Sequence, residues 1–103
     1  MASIRWSVGA GEDLREVVEY IARDSATYAA AMAGRIVTAV EKLRHHPRLG
    51  RMVPEYQDPT IRELIVGNYR VVYRLRGERI GIVAVVHGSQ DILRHLTGRP
   101  WEF

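Results

Sequence analysis

The sequence predicts an α+β domain in which a helical hairpin packs on one face of a small antiparallel sheet, with the element order β-α-α-β-β-β. Apolar residues recur at helical spacing between positions 14 and 43 and at strand spacing between positions 61 and 87. Two short turn sequences, Gly67-Asn68 and Gly77-Glu78, divide the second region into three strands. Because 103 residues suffice for one hydrophobic core, we expect residues 1–103 to form a single domain.

The N-terminal region predicts a strand followed by a helix. Ile4–Val8 alternates between apolar and polar side chains, which indicates a short strand, and we expect Gly9-Ala10-Gly11 to end it. The next apolar side chains have the i, i+3, i+4, i+7 spacing of one helix face: Leu14, Val17, Val18 and Ile21. Glu12 and Asp13 are expected in the first turn of this helix, where the helix dipole favours negative charge.

A second helix and a long loop follow. We expect Asp24-Ser25 to separate the two helices, with a new N-cap at this point, and the second helix to continue to about Arg44. His45-His46-Pro47 ends this helix, because proline disfavours helical geometry in the residue before it. Residues 47–60 contain three of the four prolines and are expected to form a loop.

The C-terminal half predicts three strands and a short helix. Ile61–Val66, Tyr69–Arg76 and Arg79–His87 are strand-like, and glycine suits the first position of a type II′ turn at Gly77-Glu78. Asp91–Leu96 is expected to form a short helix that Asp91 caps. The two-residue turns fix which side chains lie opposite each other across the strands.

That register predicts one apolar face and one mixed face. On the apolar face, which is expected to pack against the helices, the opposite pairs are Tyr73 with Arg62 and Ile82, Val71 with Leu64 and Ala84, and Tyr69 with Val66 and Val86. We interpret the other face as the exposed footprint of a partner. The alternative is an ordinary amphipathic sheet face that the C-terminus partly covers. The mixed face carries Arg70, Val72, Arg74, Val83, Val85 and His87.

Composition excludes several classes of protein. Without cysteine the chain has no disulfide framework and no thiolate metal site. His45 and His46 have no further ligand at metal-binding spacing, and we expect no metal and no cofactor. No apolar run reaches the roughly 20 residues of a membrane-spanning helix, and residues 1–6 lack the features of a signal peptide. We therefore expect a cytoplasmic protein.

Basic side chains are concentrated in the C-terminal part of the chain. Residues 42–103 contain eleven Lys or Arg residues against six Asp or Glu residues, and the net charge of the whole chain is +3. This distribution suits an acidic partner or a nucleic acid. All basic residues but one are arginine, which favours bidentate contacts with phosphate or carboxylate, although the codon usage of a GC-rich genome would give the same bias.

Several side chains near the end of the chain each have two interpretations. Arg70 either binds a phosphate or an acidic partner, or pairs with Glu63 on its own face of the sheet. His87 either acts as a general base or forms structural hydrogen bonds, and the second role is the commoner one for a lone histidine at a strand end. Trp101 and Phe103 either fold back onto the sheet or contact a partner.

The strand region carries a resemblance to a known family. Its most specific stretches are Arg62-Glu63-Leu64-Ile65-Val66, then Tyr69-Arg70-Val71-Val72-Tyr73-Arg74, then Ile82-Val83-Ala84-Val85-Val86-His87 leading to Gln90-Asp91-Ile92-Leu93. The loop His46-Pro47-Arg48-Leu49-Gly50-Arg51 adds to them. In this order and spacing they resemble the ParE/RelE superfamily, the toxins of bacterial type II toxin–antitoxin systems. The resemblance covers most of the chain and implies a cognate antitoxin as partner.

The resemblance implies one of two activities. RelE-like toxins cut mRNA in the ribosomal A site with a basic cluster and often a tyrosine, whereas ParE-like toxins poison DNA gyrase by binding. Arg70 matches the nuclease pattern, but the next expected basic residue falls near Gln90 and the expected tyrosine near Leu96. The two expected lysines fall near Arg62 or Ile61 and near Glu63 or Leu64. The chain is therefore nearer the ParE branch, which implies inhibition of gyrase and no catalytic residue.

Two sets of candidate binding residues follow. For the target, gyrase or the ribosome, they are Arg51, Arg62, Arg70, Arg74, His87 and Gln90. For the antitoxin, on the helical hairpin and the mixed sheet face, they are Leu14, Tyr20, Tyr28, Arg70, Val72, Arg74, Val83 and Val85. Two alternatives stay open. One is a ribosome-dependent mRNA endoribonuclease with a rearranged site, and the other is a non-toxic module that only binds the antitoxin or a nucleic acid.

Overall fold

A computed structural model describes residues 1–103 and confirms the α+β class. Its elements are strand β1 (Ser3–Trp6), helices α1 (Val8–Ala22) and α2 (Ala26–Glu41), strands β2 (Arg51–Met52), β3 (Ile61–Val66), β4 (Tyr69–Arg76) and β5 (Arg79–His87), and helix α3 (Ile92–Leu96). The sheet order is β1-β5-β4-β3-β2. The sheet is mixed and not wholly antiparallel, because the helical hairpin returns the chain so that β1 lies parallel to β5.

The first helix begins earlier than its apolar spacing predicts. The side-chain oxygen of Ser7 accepts a hydrogen bond from the amide of Ala10, so Ser7 caps a helix that already includes Gly9 and Gly11. The predictions of a strand to Val8 and of a break at residues 9–11 are therefore wrong. Glu12 and Asp13 consequently lie beyond the first turn, and Asp13 points into the protein, where it is 4% exposed.

The predicted boundaries of the later elements are confirmed. Ser25 caps α2, a 3-10 turn at Lys42–Arg44 continues it, and the three long strands and α3 fall where the sequence places them. Gly67 and Gly77 have φ angles of +58° and +60°, the left-handed region that a tight hairpin turn requires at its first position. The loop 47–60 contains one element that the sequence did not indicate, the two-residue strand β2, which pairs with Arg62 and Glu63.

The predicted register holds between β3 and β4 but fails halfway along β5. Tyr73 lies opposite Ile82 as expected, but a β-bulge at Val72/Tyr73 then shifts the pairing by one residue. Val71 consequently lies opposite Val85 and not Ala84, and Tyr69 lies opposite His87 and not Val86. Because a shift of one residue reverses which face each side chain occupies, Val85 packs in the core beneath the helices.

The sheet is covered on both faces. The larger core lies between the helical hairpin and one face of the sheet, around Ile36, Val40, Tyr73 and Ile82. On the opposite face, loop 53–60, α3 and the C-terminal tail cover a second core, formed by Val53, Ile61, Val72, Val83, Ala84, Val86, Ile92 and Leu96. The interpretation of this face as the exposed footprint of a partner is therefore wrong. The chain's own segments cover it because burying these apolar side chains removes them from water.

The aromatic tail folds back onto this second face. Trp101 packs edge-on against Tyr56 with ring centroids 5.6 Å apart, and the ring of Phe103 lies where a Cβ atom on Gly81 would stand. Glycine at position 81 is therefore what admits the Phe103 ring so close to the strand. No helix of the chain combines the length and the apolar character needed to cross a membrane, and no group of side chains has the composition of a metal site.

Candidate functional site

A shallow cleft of about 420 Å³ lies beside the ends of β3, β4 and β5. It brings together three of the residues predicted to contact the target, Arg51, Arg70 and His87. Arg70 reaches the cleft from β4, Arg51 from β2, and His87 from the last position of β5. Arg62, Arg74 and Gln90 do not line the cleft.

Arg70 is held between two carboxylates. Its Nε donates to Glu63 Oε1 at 2.5 Å, and its two terminal nitrogens donate to the two oxygens of Glu55 at 2.8 and 2.7 Å. The second oxygen of Glu63 accepts from Arg51 Nε at 2.7 Å. The Glu63 side chain is fully buried, and the Arg70 side chain is 10% exposed. These four side chains, Glu55, Arg70, Glu63 and Arg51, form one chain of alternating charges, which we call the ion cluster.

The ion cluster is electrically balanced. Its two guanidinium groups face two carboxylates, and the bidentate contact with Arg70 lowers the pKa of Glu55 from 4.5 to about 2. The hydrogen bond to Glu55 likewise raises the pKa of Arg70. Of the two interpretations of Arg70, the structure therefore shows the pairing with Glu63 inside the protein. It adds Glu55 as a second partner. Three of the five N–H groups of Arg70 are bonded to carboxylates, so a phosphate would compete with Glu55 and Glu63 for this guanidinium.

We expect the pairing of Glu55 to make stability depend on pH. Its pKa is lower in the folded protein than the ordinary value of 4.5, so its contribution is present above pH 4.5 and is lost as the pH falls towards 2. The substitution Glu55→Gln should lower the free energy of unfolding at pH 7, and the difference from the unmodified protein should shrink between pH 4.5 and pH 2. Urea unfolding at a series of pH values measures both, and a difference independent of pH would contradict the assignment.

Two of the other predicted arginines are also occupied within the chain. Arg62 donates to the backbone oxygens of Pro59 and Gly50, both at 2.9 Å, and so fastens the loop before β3. The guanidinium carbon of Arg74 lies 5.7 Å from the centre of the Trp101 ring, a cation–π contact that holds the C-terminal tail. Arg51 differs from them, because its side chain is 61% exposed and only its Nε is bonded.

His87 and Gln90 form a tight turn at the end of β5. The amide of His87 donates to Gln90 Oε1 at 2.7 Å, and His87 Nδ1 accepts from the amide of Ser89 at 3.1 Å. The ring of His87 also packs edge-on against Tyr69, with centroids 5.5 Å apart. His87 therefore makes the structural hydrogen bonds that its position favours, while the residue stays exposed at the rim of the cleft.

The residues predicted to bind the antitoxin divide into an exposed group and a buried group. Tyr20 and Tyr28 are 65% and 56% exposed at the ends of α1 and α2 that meet. Leu14 packs against the larger core. Contrary to the predicted exposed face, the three valines at positions 72, 83 and 85 are at most 2% exposed. They are covered by the chain's own segments.

Sequence reasoning missed a second cluster, which fastens the C-terminal segment to the helices. The carboxylate of Asp13 accepts from both terminal nitrogens of Arg99 at 2.7 and 2.9 Å and from the amide of Val85 at 3.0 Å. His95 Nε2 lies 3.1 Å from the same carboxylate. Asp13 lies three residues after Ala10 and four residues before Val17, which places it on the apolar side of the first helix. A charged residue in this position was the sequence signal that could have indicated the cluster.

The sequence is similar to known bacterial toxins. A family model described as "ParE toxin of type II toxin-antitoxin system, parDE" matches residues 4–92. "Putative toxin Y4kP" of Sinorhizobium fredii is 34% identical over 90 residues, which cover 85% of this chain and 90% of that protein. "Toxin RelE2" of Caulobacter vibrioides is 32% identical over 91 residues, which cover 87% of this chain and 99% of that protein.

Two solved structures share the fold. A chain of the chromosomal ParDE system from P. aeruginosa matches with a TM-score of 0.70 at 23% identity, covering 84% of this chain and 96% of its own. The YoeB/ParE toxin from Agrobacterium tumefaciens matches with a TM-score of 0.57 at 16% identity, covering 82% and 96%. At these identities the likeness shows the fold alone.

Proposed function

This chain belongs to the ParE toxin family of type II toxin–antitoxin systems, and from that premise we propose that it arrests growth by binding DNA gyrase in the cytoplasm. By resemblance to ParE toxins, bound gyrase is held in its complex with cleaved DNA, so replication stops without chemistry by the toxin. A cognate antitoxin keeps the protein inactive until it is removed.

One observation carries the choice of gyrase over mRNA cleavage: Arg70 is bound on both sides by Glu55 and Glu63. Cleavage of RNA needs positive groups directed at the charge that develops on the phosphate. In this cleft the corresponding guanidinium is paired with Glu55 and Glu63 within the fold and is not directed at a bound phosphate. A neutral cleft fits a toxin that acts by binding better than one that stabilises a phosphorane-like transition state.

The target contact is proposed at the rim of this cleft. Among the predicted target residues that line the cleft, Arg51 and His87 combine exposure with donor groups not used inside the protein. Arg70 supports this surface from beneath through the ion cluster, whereas Arg74 holds Trp101 and lies outside the cleft. Arg62 and Gln90 shape the adjoining loops.

Supercoiling of relaxed plasmid by purified gyrase and ATP tests this proposal. We expect added toxin to prevent supercoiling and to leave linear DNA after denaturation of gyrase. The double variant Arg51→Ala/His87→Ala should need about tenfold more protein for half-inhibition, which corresponds to a loss of about 1.4 kcal/mol of binding free energy. Arg79→Ala, at an exposed arginine that begins β5, is the matched control. Normal supercoiling at large molar excess of toxin would contradict the proposal.

Ribosome-dependent mRNA cleavage is the second candidate, because one relative is named Toxin RelE2. Incubation with programmed ribosomes tests it, and we expect the message to stay intact. A cut in the A-site codon would favour this candidate over gyrase. Growth arrest on expression without an antitoxin separates both candidates from a module that is not toxic.

A further inference from the structure

A second cleft, of about 690 Å³, lies between the loop that follows α2 and the turn that joins β4 to β5. Its polar side chains are His46, Arg48 and Thr60, and no acidic side chain lines it. The carboxylate of Asp58 bonds the Thr60 hydroxyl at 2.7 Å but does not line the cleft. This space, which we call the loop cleft, shares no lining residue with the cleft that holds Arg70.

The positive groups at the loop cleft have no anionic partner. Arg48 and His46 are exposed, and no carboxylate lies within ion-pair distance of either. Arg62, close by, donates only to backbone carbonyl oxygens, which leave its charge unneutralised. Burial raises the pKa of Tyr73, and the charges of Arg62 and Arg48 both oppose that rise, so the two guanidinium groups lie near the same phenol. The loop cleft therefore differs from the balanced ion cluster.

The loop that carries Arg48 is held in one conformation. The buried hydroxyl of Tyr73 donates to the carbonyl of Pro47 and accepts from the amide of Gly50, both at 2.9 Å. These two bonds fasten the loop on either side of Arg48. A Cβ atom at Gly50 would stand only 2.7 Å from this hydroxyl, so the contact requires glycine. A cation on a fixed loop loses less conformational freedom when it binds a ligand.

These groups suit a phosphodiester better than a peptide. A guanidinium binds phosphate oxygens with two parallel hydrogen bonds, and an imidazole N–H supplies a further donor. Strand β4, which ends at the loop cleft, is already paired on both sides by β3 and β5. An extended peptide would therefore gain no backbone ladder here. Unpaired positive charge acts most strongly on a ligand with regularly spaced negative charges, which is the backbone of a nucleic acid.

We propose that the loop cleft binds the phosphodiester backbone of the duplex DNA that gyrase holds. Arg48 and His46 contact phosphate oxygens, and Arg62 adds positive potential from beside them. The toxin then touches its target with the rim at Arg51 and His87 and touches the DNA with separate residues. The inference rests on the proposed function only in taking gyrase as the source of the DNA.

Fluorescence anisotropy of a labelled DNA duplex, with the intact toxin and without gyrase, tests the site. With a duplex of about 30 base pairs, we expect Arg48→Gln to weaken binding about tenfold at about 50 mM salt. The same variant should lower the slope of log affinity against log salt concentration by about 1. Arg15→Gln, at an exposed position of α1 with the same change in charge, is the matched control and should keep the affinity and the slope. Circular dichroism checks that each variant is folded.

Three results would overturn the proposal. One is no binding of the duplex at low salt, or equal losses in the Arg48 and Arg15 variants. Another is tighter binding of double-stranded RNA of the same length, which would assign the loop cleft to RNA. The third is an Arg48 variant with unchanged affinity for DNA but weaker binding of the protein encoded next to this gene, which would assign the loop cleft to the antitoxin.

The DNA-binding and supercoiling assays separate this inference from the proposed function. Inhibition of gyrase by a toxin that does not bind the duplex overturns the loop cleft as a DNA site and leaves the gyrase proposal intact. Binding of the duplex that depends on Arg48, together with normal supercoiling, supports the phosphodiester site while the proposed target fails.

Discussion

Asp13→Ala is expected to destabilise the protein by about 3–5 kcal/mol, the effect of removing one partner from a buried ion pair. The Asp13 carboxylate lies between α1, the bulged strand β5 and the C-terminal segment, where it accepts hydrogen bonds from Arg99 and from the amide of Val85. Without it, the Val85 amide loses its acceptor, and the Arg99 guanidinium keeps only the backbone oxygen of Val83 as acceptor in a partly buried site. The segment that carries α3 and Trp101 then loses its main polar attachment to the helices.

Urea unfolding followed by circular dichroism measures this loss. Glu19→Ala, an exposed acid on the same helix, is the matched control and should change stability by no more than about 0.5 kcal/mol. Asp13→Asn should fall between them, since an amide oxygen can still accept from Val85 but carries no charge for Arg99. Equal stability of the Asp13 and Glu19 variants would show that the cluster contributes little.

Arg70→Ala is expected to have a comparable effect, about 3–5 kcal/mol, because it leaves Glu63 buried with only the exposed Arg51 as cationic partner. Glu55 would lose its bidentate contact in the same variant. Thermal and urea unfolding measure the change, and a loss of about 3 kcal/mol corresponds to a fall in Tm of more than about 12 °C for a chain of this size.

A paired substitution distinguishes a structural role for Arg70 from a target contact. In Arg70→Met/Glu63→Leu both buried charges are replaced by apolar side chains of similar size, so stability should return close to that of the unmodified protein. If Arg70 serves the fold, this variant should also retain inhibition of gyrase. A stable variant without inhibition would place Arg70 in the contact itself.

The features that the sequence predicted depend on short stretches of chain. The turns at Gly67 and Gly77 and the cap at Ser25 each follow from a few neighbouring residues, and their strands and helix have the expected bounds. Apolar residues at helical spacing up to position 43 predicted the second helix, whose buried side includes Met32 and Ile36. The resemblance of the strand region to known toxins predicted the family, and the matching family model confirms it.

The features that it missed depend on residues far apart in the chain. Asp13 bonds Arg99 across 86 positions, and no local pattern indicates such a contact. The bulge in β5 is invisible to a register counted from a turn, so Val85 was placed on the wrong face. Glu55 lies in a loop without periodicity, and only the folded loop brings it to Arg70. Because of these distant contacts, several of the arginines in the basic C-terminal part of the chain bind groups within the protein itself.

Expression in growing cells, with chromosomal DNA and a reporter mRNA examined in the same samples, tests the central claim most directly. A gyrase poison without nuclease activity should produce double-strand breaks in the chromosome while the reporter message stays intact, and co-expression of the antitoxin should prevent the breaks. An intact chromosome together with messages cut at ribosomal A sites would contradict the account and make the protein an mRNA endoribonuclease.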